Sequence, residues 1–535
     1  MNEYAQPVES LGKKELIALL KKQQQALVER EQKAVSLEQK ARRQAQRIHY
    51  LEEQLRLTLA QQYGRRSERR TEDDPQADLF NEAEERVAAE PDSASESSEP
   101  TEVRGRARRT SGRRKLPESL PREVIEHDID EADKVCDCGC RKQRTGKDVS
   151  ERLEYIPARL YVERHVRHKY ACPQCEAGVQ VARKPASMIP GSNAGNRLLA
   201  AVIVAKYQDS LPLYRQSRIF ARQGVELPRN TLARWVIQCS QALIPLMARM
   251  ETAIRRVPVI LMDETRVQVN REPGRKASST SYMWIRRGLS PPDETCPRGR
   301  DITLYHYSPT RAGEVAVDLL SGYHGALMTD GYAGYPAAVE KYNLQHATCW
   351  AHARRKFVEA EKALPKGRKS PAITAILNRI RKLYAIEKKL AGASPGKRQA
   401  ERKRQAGPVL EQLRAHLEKK SIQVTPKSKF GEAIGYTLKH WKTLTTYLRN
   451  GHLPIDNNGA ENGIRPFVVG RKNWLFADTV RGAEASARLY SLIETAKANG
   501  HEPYAYLSRL FARLPQADCD EALDALLPWN MSPAT

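Results

Sequence analysis

Val257-Pro-Val-Ile-Leu-Met-Asp263-Glu264-Thr265 is an apolar run of strand-like composition that delivers a carboxylate at its end. The pattern returns at Gly325-Ala-Leu-Met-Thr-Asp330-Gly-Tyr332. A third acidic segment, Pro454-Ile-Asp-Asn-Asn-Gly-Ala-Glu461-Asn-Gly-Ile-Arg-Pro466, is polar and helix-like instead. Two strand-borne Asp and a later Glu are the residue types that hold hard divalent cations at a phosphodiester. Mg2+ (or Mn2+) prefers carboxylate oxygen, and two such ions about 3.5–4 Å apart activate the nucleophile and stabilise the leaving oxygen. In that scheme Asp263 bridges both ions, Asp330 holds one and Glu461 the other. Glu264 follows Asp263 directly and, on a strand, is expected on the opposite face. Asp456 and Asp478 compete with Glu461, although Asp456 reads better as a helix N-cap. Arg465 lies one turn after Glu461, where it can reach a phosphate. Pro466 is expected to limit the helix and keep Glu461 in its first turns.

Outward from this stretch, further strands are expected at 266–270 and 282–287, joined by a Gly-, Lys- and Ser-rich loop, and at 302–307. A helix follows at 313–320, then a strand at 326–329 and a last one at 345–350. This order resembles the RNase H-like fold, in which the first Asp lies mid-sheet on strand one, the second follows strand four and a third acid comes from a later helix. Residues 351–455 read as a basic helical insertion. It opens with Cys349-Trp-Ala-His352-Ala-Arg354-Arg355-Lys356-Phe357, which puts His352, Arg354, Arg355 and Lys356 just past a strand end as candidates for DNA contact.

The chain has 535 residues, a net charge of +25 and a pI near 9.7. That length implies several domains, and that charge favours a polyanionic partner, double-stranded DNA. Residues 71–103 hold twelve acids against one base, Arg86. The surrounding 67–120 segment has almost no large apolar residues and is expected to be a disordered charged linker. Upstream, 14–62 contains no Pro or Gly. Leu20, Leu27, Ala34, Ala41, Ile48 and Leu55 recur every seven residues, with Leu37 and Leu51 adding partial positions, which predicts a coiled-coil helix and self-association. The polar start and the shortness of the apolar run at 198–205 predict a soluble, cytoplasmic, nucleoid-associated protein with no membrane partner.

Nine cysteines are present, five of them within 136–175. Cys136, Cys138 and Cys140 face Cys172 and Cys175 across a β-rich stretch, a spacing that predicts a structural Zn2+ ribbon with a hairpin between the knuckles. A tetrahedral site needs only two of the first three cysteines, and His165 or His168 are possible substitutes. Residues 194–255 are helical. Arg215 to Trp235 has the layout of a helix-turn-helix: a first helix ending at Gly224, and a second starting near Asn230 or Thr231 that offers Arg229, Asn230 and Arg234 to DNA.

Taken together, Asp263-Glu-Thr265, Thr329-Asp-Gly-Tyr332, Cys349 through Phe357, Asp456-Asn-Asn458, Ala460-Glu-Asn462 and Ile464 through Trp474 resemble transposases of the insertion sequence 66 family. So do Tyr63-Gly-Arg-Arg-Ser-Glu68 and the cysteine region. The resemblance covers nearly the whole chain. It implies a DDE transposase, a Mg2+-dependent polynucleotidyl transferase that binds terminal inverted repeats and cuts and joins 3′ ends, with Asp263, Asp330 and Glu461 as the metal-binding acids. It also implies DNA contacts from Arg471 and Lys472, and small accessory proteins of the same element as partners. The expected architecture is multidomain: 1–66 coiled coil, 67–120 linker, 121–190 zinc-ribbon-like β domain, 191–256 helical DNA-binding domain, 257–350 first part of an α/β RNase H-like core, 351–455 insertion, 456–500 last part of the core with Glu461, and 501–535 helical tail. An RNase H-like nuclease without strand transfer and a non-catalytic DNA-binding regulator are the competing readings.

Overall fold

A computed structural model of the chain describes residues 13–63, 159–170, 180–181, 184–291, 299–365 and 368–533. The chain divides into two compact units, residues 1–90 with 167–535, and residues 91–166. In the second unit the described residues, 159–166, form neither helix nor strand.

The first unit is organised on one mixed sheet of β1 (Val259–Arg271), β2 (Thr280–Ser290), β3 (Arg300–Ser308), β4 (Ala326–Thr329), β5 (Gln345–Thr348) and β6 (Ala477–Thr479). The order is β3-β2-β1-β4-β5, with β6 paired to the far end of β1. β1, β2 and β3 form an antiparallel meander, while β4 and β5 run parallel to β1. The strands expected at 257–262 and 266–270 are therefore one. β2 pairs with β1 continuously from Val259 to Gln268, which leaves no break for a turn after Met262. Residues 259–262 are fully buried, and burial alternates from Val267 onward. Asp263 thus sits mid-strand, where the doubly covered half of β1 gives way to its half-exposed end. All four residues of β4 are buried, as expected of a parallel strand covered on both faces.

Helices close the sheet. β3 is an edge, and α14 (Val480–Ala498) covers its backbone: the amide of Thr303 donates to Thr495 Oγ1 at 3.0 Å and that of Tyr305 to Ser491 Oγ at 2.7 Å. Hydroxyls on a helix here replace a further strand and blunt the edge. The upstream helices α2 (Asn196–Tyr207), α3 (Leu213–Arg222), α4 (Arg229–Ala242) and α5 (Ile244–Ile254) share the sheet's core through Leu199, Trp235 and Met250. α3 and α4 are linked by a turn with Gly224 at φ +82°. The expected cap at Asn230 or Thr231 is not used: α4 starts at Arg229, and Pro228 (φ −59°) holds the N-cap position without a side-chain bond. α6 (Gly313–Leu319) and α7 (Pro336–Lys341) flank β4 in sequence.

Between β5 and the sheet's last helix lie α8 (Trp350–Lys362), α9 (Pro371–Lys389), α10 (Pro395–Ser421), α11 (Lys429–Lys439) and α12 (Trp441–Leu444). This insertion leaves and rejoins the core at one point, because the amide of Trp350 donates to the carbonyl of Ile455 at 3.2 Å. α13 (Asn458–Trp474) then crosses the sheet, followed downstream by α15 (Pro503–Arg513) and α16 (Asp520–Asp524). Pro466 does not limit α13, which runs on to Trp474. Proline removes one internal bond, but packing holds the helix beyond it: the Phe467 ring lies 5.4 Å from those of both Trp474 and Tyr490.

α1 (Lys13–Tyr63) is a single helix of 51 residues. Leu20, Leu27, Ile48 and Leu55 on it are each more than half exposed. Glu53, in contrast, is buried, and its carboxylate accepts the first amide of α11, that of Lys429, at 3.1 and 3.3 Å. In the cysteine region, Lys169–Tyr170 pairs with Gln180–Val181. The described hairpin therefore brackets the Cys172/Cys175 knuckle, not the stretch between the two knuckles. Cys136, Cys138, Cys140, Cys172 and Cys175 themselves lie outside the described residues.

Candidate active site

The parallel register of β1 and β4 brings the first two acids together. Leu261 lies opposite Met328, so two residues further along each chain Asp263 and Asp330 leave the sheet side by side and on one face. The loop after Asp330 is fixed locally. Its Oδ1 accepts the amide of Tyr332 at 2.8 Å, its carbonyl accepts Tyr436 Oη–H from α11 at 2.8 Å, and Gly331 sits at φ +88°. A Cβ at position 331 would meet Thr348, Tyr436 and His440 at 3.2–3.3 Å. Glycine is required there both by the backbone angle and by the space.

Glu461 lies in the first turn of α13 and is 1% exposed. Asn457, ahead of the helix, donates Nδ2–H to the carbonyl of Met262 at 2.8 Å and so anchors α13 beside Asp263. Gly459 and Gly463 let the helix lie close on the sheet: a Cβ at either would come within 2.8 Å of Leu261 or Ile285. Neither oxygen of Glu461 has a hydrogen-bond partner among the described residues, and burial, with Asp263 nearby, pushes its pKa up to about 9. Burial, followed by Glu264 and Asp330, likewise raises Asp263 well above the usual carboxylate range. Buried acids without matching bases are a site short of positive charge.

Glu264 was expected on the opposite face, yet ligand oxygens of Asp263, Glu264 and Asp330 all lie within 4.8 Å of one another. Its side chain is 1% exposed and accepts Arg311 Nε–H at 2.6 Å and Tyr335 Oη–H at 2.7 Å. Arg311 in turn stacks 3.7 Å over the ring of Tyr332. Strict strand alternation missed Glu264, and an isolated Arg ahead of α6 carried no signal for Arg311. The set of hard oxygen donors fits Mg2+ or Mn2+, and the orphaned Glu461 oxygens fit the same class of ion.

Among the remaining acids, Asp456 accepts the amide of Asn458 at 3.2 Å one residue ahead of the N-cap of α13. Asp478 is exposed on β6 and pairs with Arg271. Arg271 is eight residues beyond Asp263 on the same strand, about 25 Å away, so Asp478 is not part of this cluster. His352, expected to face DNA, turns inward instead: its side chain is 25% exposed and Nδ1 lies 3.5 Å from Glu461 Oε1. Arg355 reaches Glu359 at 3.2 Å, and Lys356 lies 4.8 Å from the ring of Tyr436. Arg354 and Arg465 are half-buried. Arg471 is half-buried and bonds Thr265 at 3.3 Å, while Lys472 is exposed. On α4, Arg229, Asn230 and Arg234 are all exposed.

The sequence profile described as "Transposase IS66 family" matches residues 191–485, more than half of the chain and the whole of this site. The chain belongs to the IS66 transposase family. Further IS66 profiles match in order: "Transposase C of IS166 homeodomain" at 50–125, "zinc-finger binding domain of transposase IS66" at 133–176, and "IS66 C-terminal element" at 491–529. The zinc-finger match spans all five clustered cysteines. Among similar proteins is the uncharacterized protein y4jD of Sinorhizobium fredii (strain NBRC 101917 / NGR234). It is 35% identical over 444 residues, covering 80% of this chain and 84% of the relative. The uncharacterized protein y4hP of the same organism is 31% identical over 84% of this chain and 82% of its own length. No solved structure matches. Among the described residues of this IS66 transposase, no helix is long and apolar enough to cross a membrane.

Proposed function

We propose that this IS66 transposase is a DDE enzyme that cleaves 3′ ends at its element's terminal repeats and joins them to target DNA. The observation that carries the reading is the shared register of Asp263 and Asp330, with Glu461 brought beside them by α13. The strand order β3-β2-β1-β4-β5, with three antiparallel strands and two parallel ones, is that expected of an RNase H-like core.

Asp263, between the other two acids, would bridge two divalent cations, with Asp330 and Glu461 each completing one. Bound there, such ions supply Lewis-acid stabilisation of the attacking and leaving oxygens. The chain's own residues do the rest. The tethers at Asn457 and Tyr436 fix where Glu461 and Asp330 stand. Glu264 holds Arg311 against the site, so that a cation borders the scissile phosphate. Exposed Arg229, Asn230 and Arg234 on α4 offer a recognition face for the major groove, and Lys472 with Arg465 and Arg471 extend a basic track along α13. A zinc-held cysteine knuckle and self-association through the exposed apolar residues of α1 complete the reading, which places the protein on DNA inside the cell, beside small accessory proteins of the element.

The test is purified full-length protein with element-end DNA and Mg2+ or Mn2+. Cleavage and joining are expected with the wild type. Both should vanish in Asp263→Asn, Asp330→Asn and Glu461→Gln while DNA binding in a gel-shift assay survives. Full activity in one of these variants removes that residue from the trio, and wild-type cleavage without joining makes the protein a nuclease instead.

A further inference from the structure

Cys349 holds the N-cap position of α8, and His352 follows three residues later on the same face of its first turn. α13 brings Glu461 against them. The insertion's return point and the amide of Asn457, which donates to Cys349 Sγ at 3.2 Å, lock the two helix starts together. Ligand atoms of Cys349, His352 and Glu461 all lie within 4.8 Å of one another. Both Glu461 oxygens and His352 Nδ1 are buried without hydrogen-bond partners among the described residues, Nδ1 and Oε1 approaching each other only to 3.5 Å. Buried polar atoms are costly to leave unmatched, so the cluster is built for something that accepts all of them.

We propose that Cys349, His352 and Glu461 form a binding site for a borderline, thiophilic divalent cation of the zinc class, separate from the all-oxygen cluster of Asp263, Glu264 and Asp330. Sulfur, imidazole and carboxylate are the donor set such ions select, and the set a hard ion such as Mg2+ does not. Three protein ligands leave a fourth tetrahedral position for water. Ligand atoms about 3.5 Å apart suit that geometry, so the cluster closes on an ion by small side-chain rotations. Two backbone contacts are placed to hold a bound thiolate. Amides of Asn457 and His352 point at Sγ, and the N-terminus of α8 lies behind it.

The binding itself does not depend on the transposase reading, but one consequence does. Zinc bound here draws the Glu461 carboxylate toward Cys349 and His352 and so competes with the Asp263 side for it, which antagonises the Mg2+-dependent reaction.

The experiment uses full-length protein with its cysteine knuckle already zinc-loaded, titrated with Co2+ as a coloured substitute. The wild type should take up one further ion per chain with a sulfur-to-cobalt charge-transfer band. Cys349→Ser should lose that band and His352→Ala should bind about 100-fold more weakly, while Cys519→Ser, which changes an exposed cysteine, should match the wild type. Melting curves in chelator confirm that each variant is folded. An identical band in Cys349→Ser, or no ion beyond the knuckle's, overturns the site. In a second arm, a small excess of Zn2+ should lower wild-type Mg2+-dependent end cleavage at least about tenfold and leave Cys349→Ser near its own zinc-free rate. Equal inhibition of both proteins overturns the antagonism. If neither protein cleaves at all, it is the transposase reading that fails, and the cobalt result still decides the site.

Discussion

At the scale of single residues, this fold confines charge without always neutralising it. Glu461 is one instance, and Lys206 at the end of α2 is another. The Lys206 ammonium lies 5.3 and 5.4 Å from the rings of Tyr207 and Trp474, and burial lowers its pKa to about 8. An unfolded lysine titrates near 10.4. Between those values the unfolded chain holds a proton that the native chain does not, so stability rises with pH across that window and is lost as pH falls through 8. The charged form costs at most about 3 kcal/mol, less the attraction of the two rings. Lys206→Met should therefore melt above the wild type at pH 7, and the gap should close toward pH 10 in calorimetric scans at fixed ionic strength. A gap that widens with pH would mean that the rings more than offset the burial.

Among the elements, α13 carries the most consequence. Gly463 lies close against Ile285: a Cβ there falls 2.8 Å from Ile285 Cδ1. Gly463→Ala meets only the movable end of that side chain and should be tolerated. Gly463→Val should cost roughly 1–3 kcal/mol and lift Glu461 away from Asp263. Its signature is a lower melting temperature together with a smaller stabilisation by added MgCl2, read by thermal scans with and without the ion. The strands were legible in the sequence because their apolar runs are long and their chemistry is marked: 302–307, 326–329 and the start at 345 all lie within observed strands. What was not legible is tertiary. Pro466 reads as a helix stop until Phe467 is seen packed against Trp474 and Tyr490. Glu264 reads as facing away until Arg311 and Tyr335 are seen to hold it beside Asp263. Cys349 and His352 read as the start of a DNA-facing helix until α13, more than a hundred residues later, closes over them.

For the whole molecule, α1 is the element whose sequence exceeds its contacts. A 51-residue helix is about 75 Å long, and its heptad leucines are largely exposed while Glu53 ties it to α11. Sedimentation of the full chain should show a dimer or larger species at micromolar concentration. A variant with Leu20, Leu27 and Leu55 changed to Lys should sediment as a monomer with its main melting transition unchanged. A monomeric wild type would remove self-association through this helix. The path of the chain through the core carries a different message. Because the amide of Trp350 meets the carbonyl of Ile455, the insertion enters and leaves by one doorway, and its length is invisible to the sheet. A segment with touching ends can be gained, exchanged or trimmed in a single genetic event without breaking the β1–β4 pairing, provided that the hold of Tyr436 on the Asp330 carbonyl is kept. What such an exchange would alter is the wall around the acids, with α8 beside Glu461 and α11 beside Asp330. The core and its inserted helices are thus joined as a graft is to a stem, and chimaeras between relatives are best cut at that doorway.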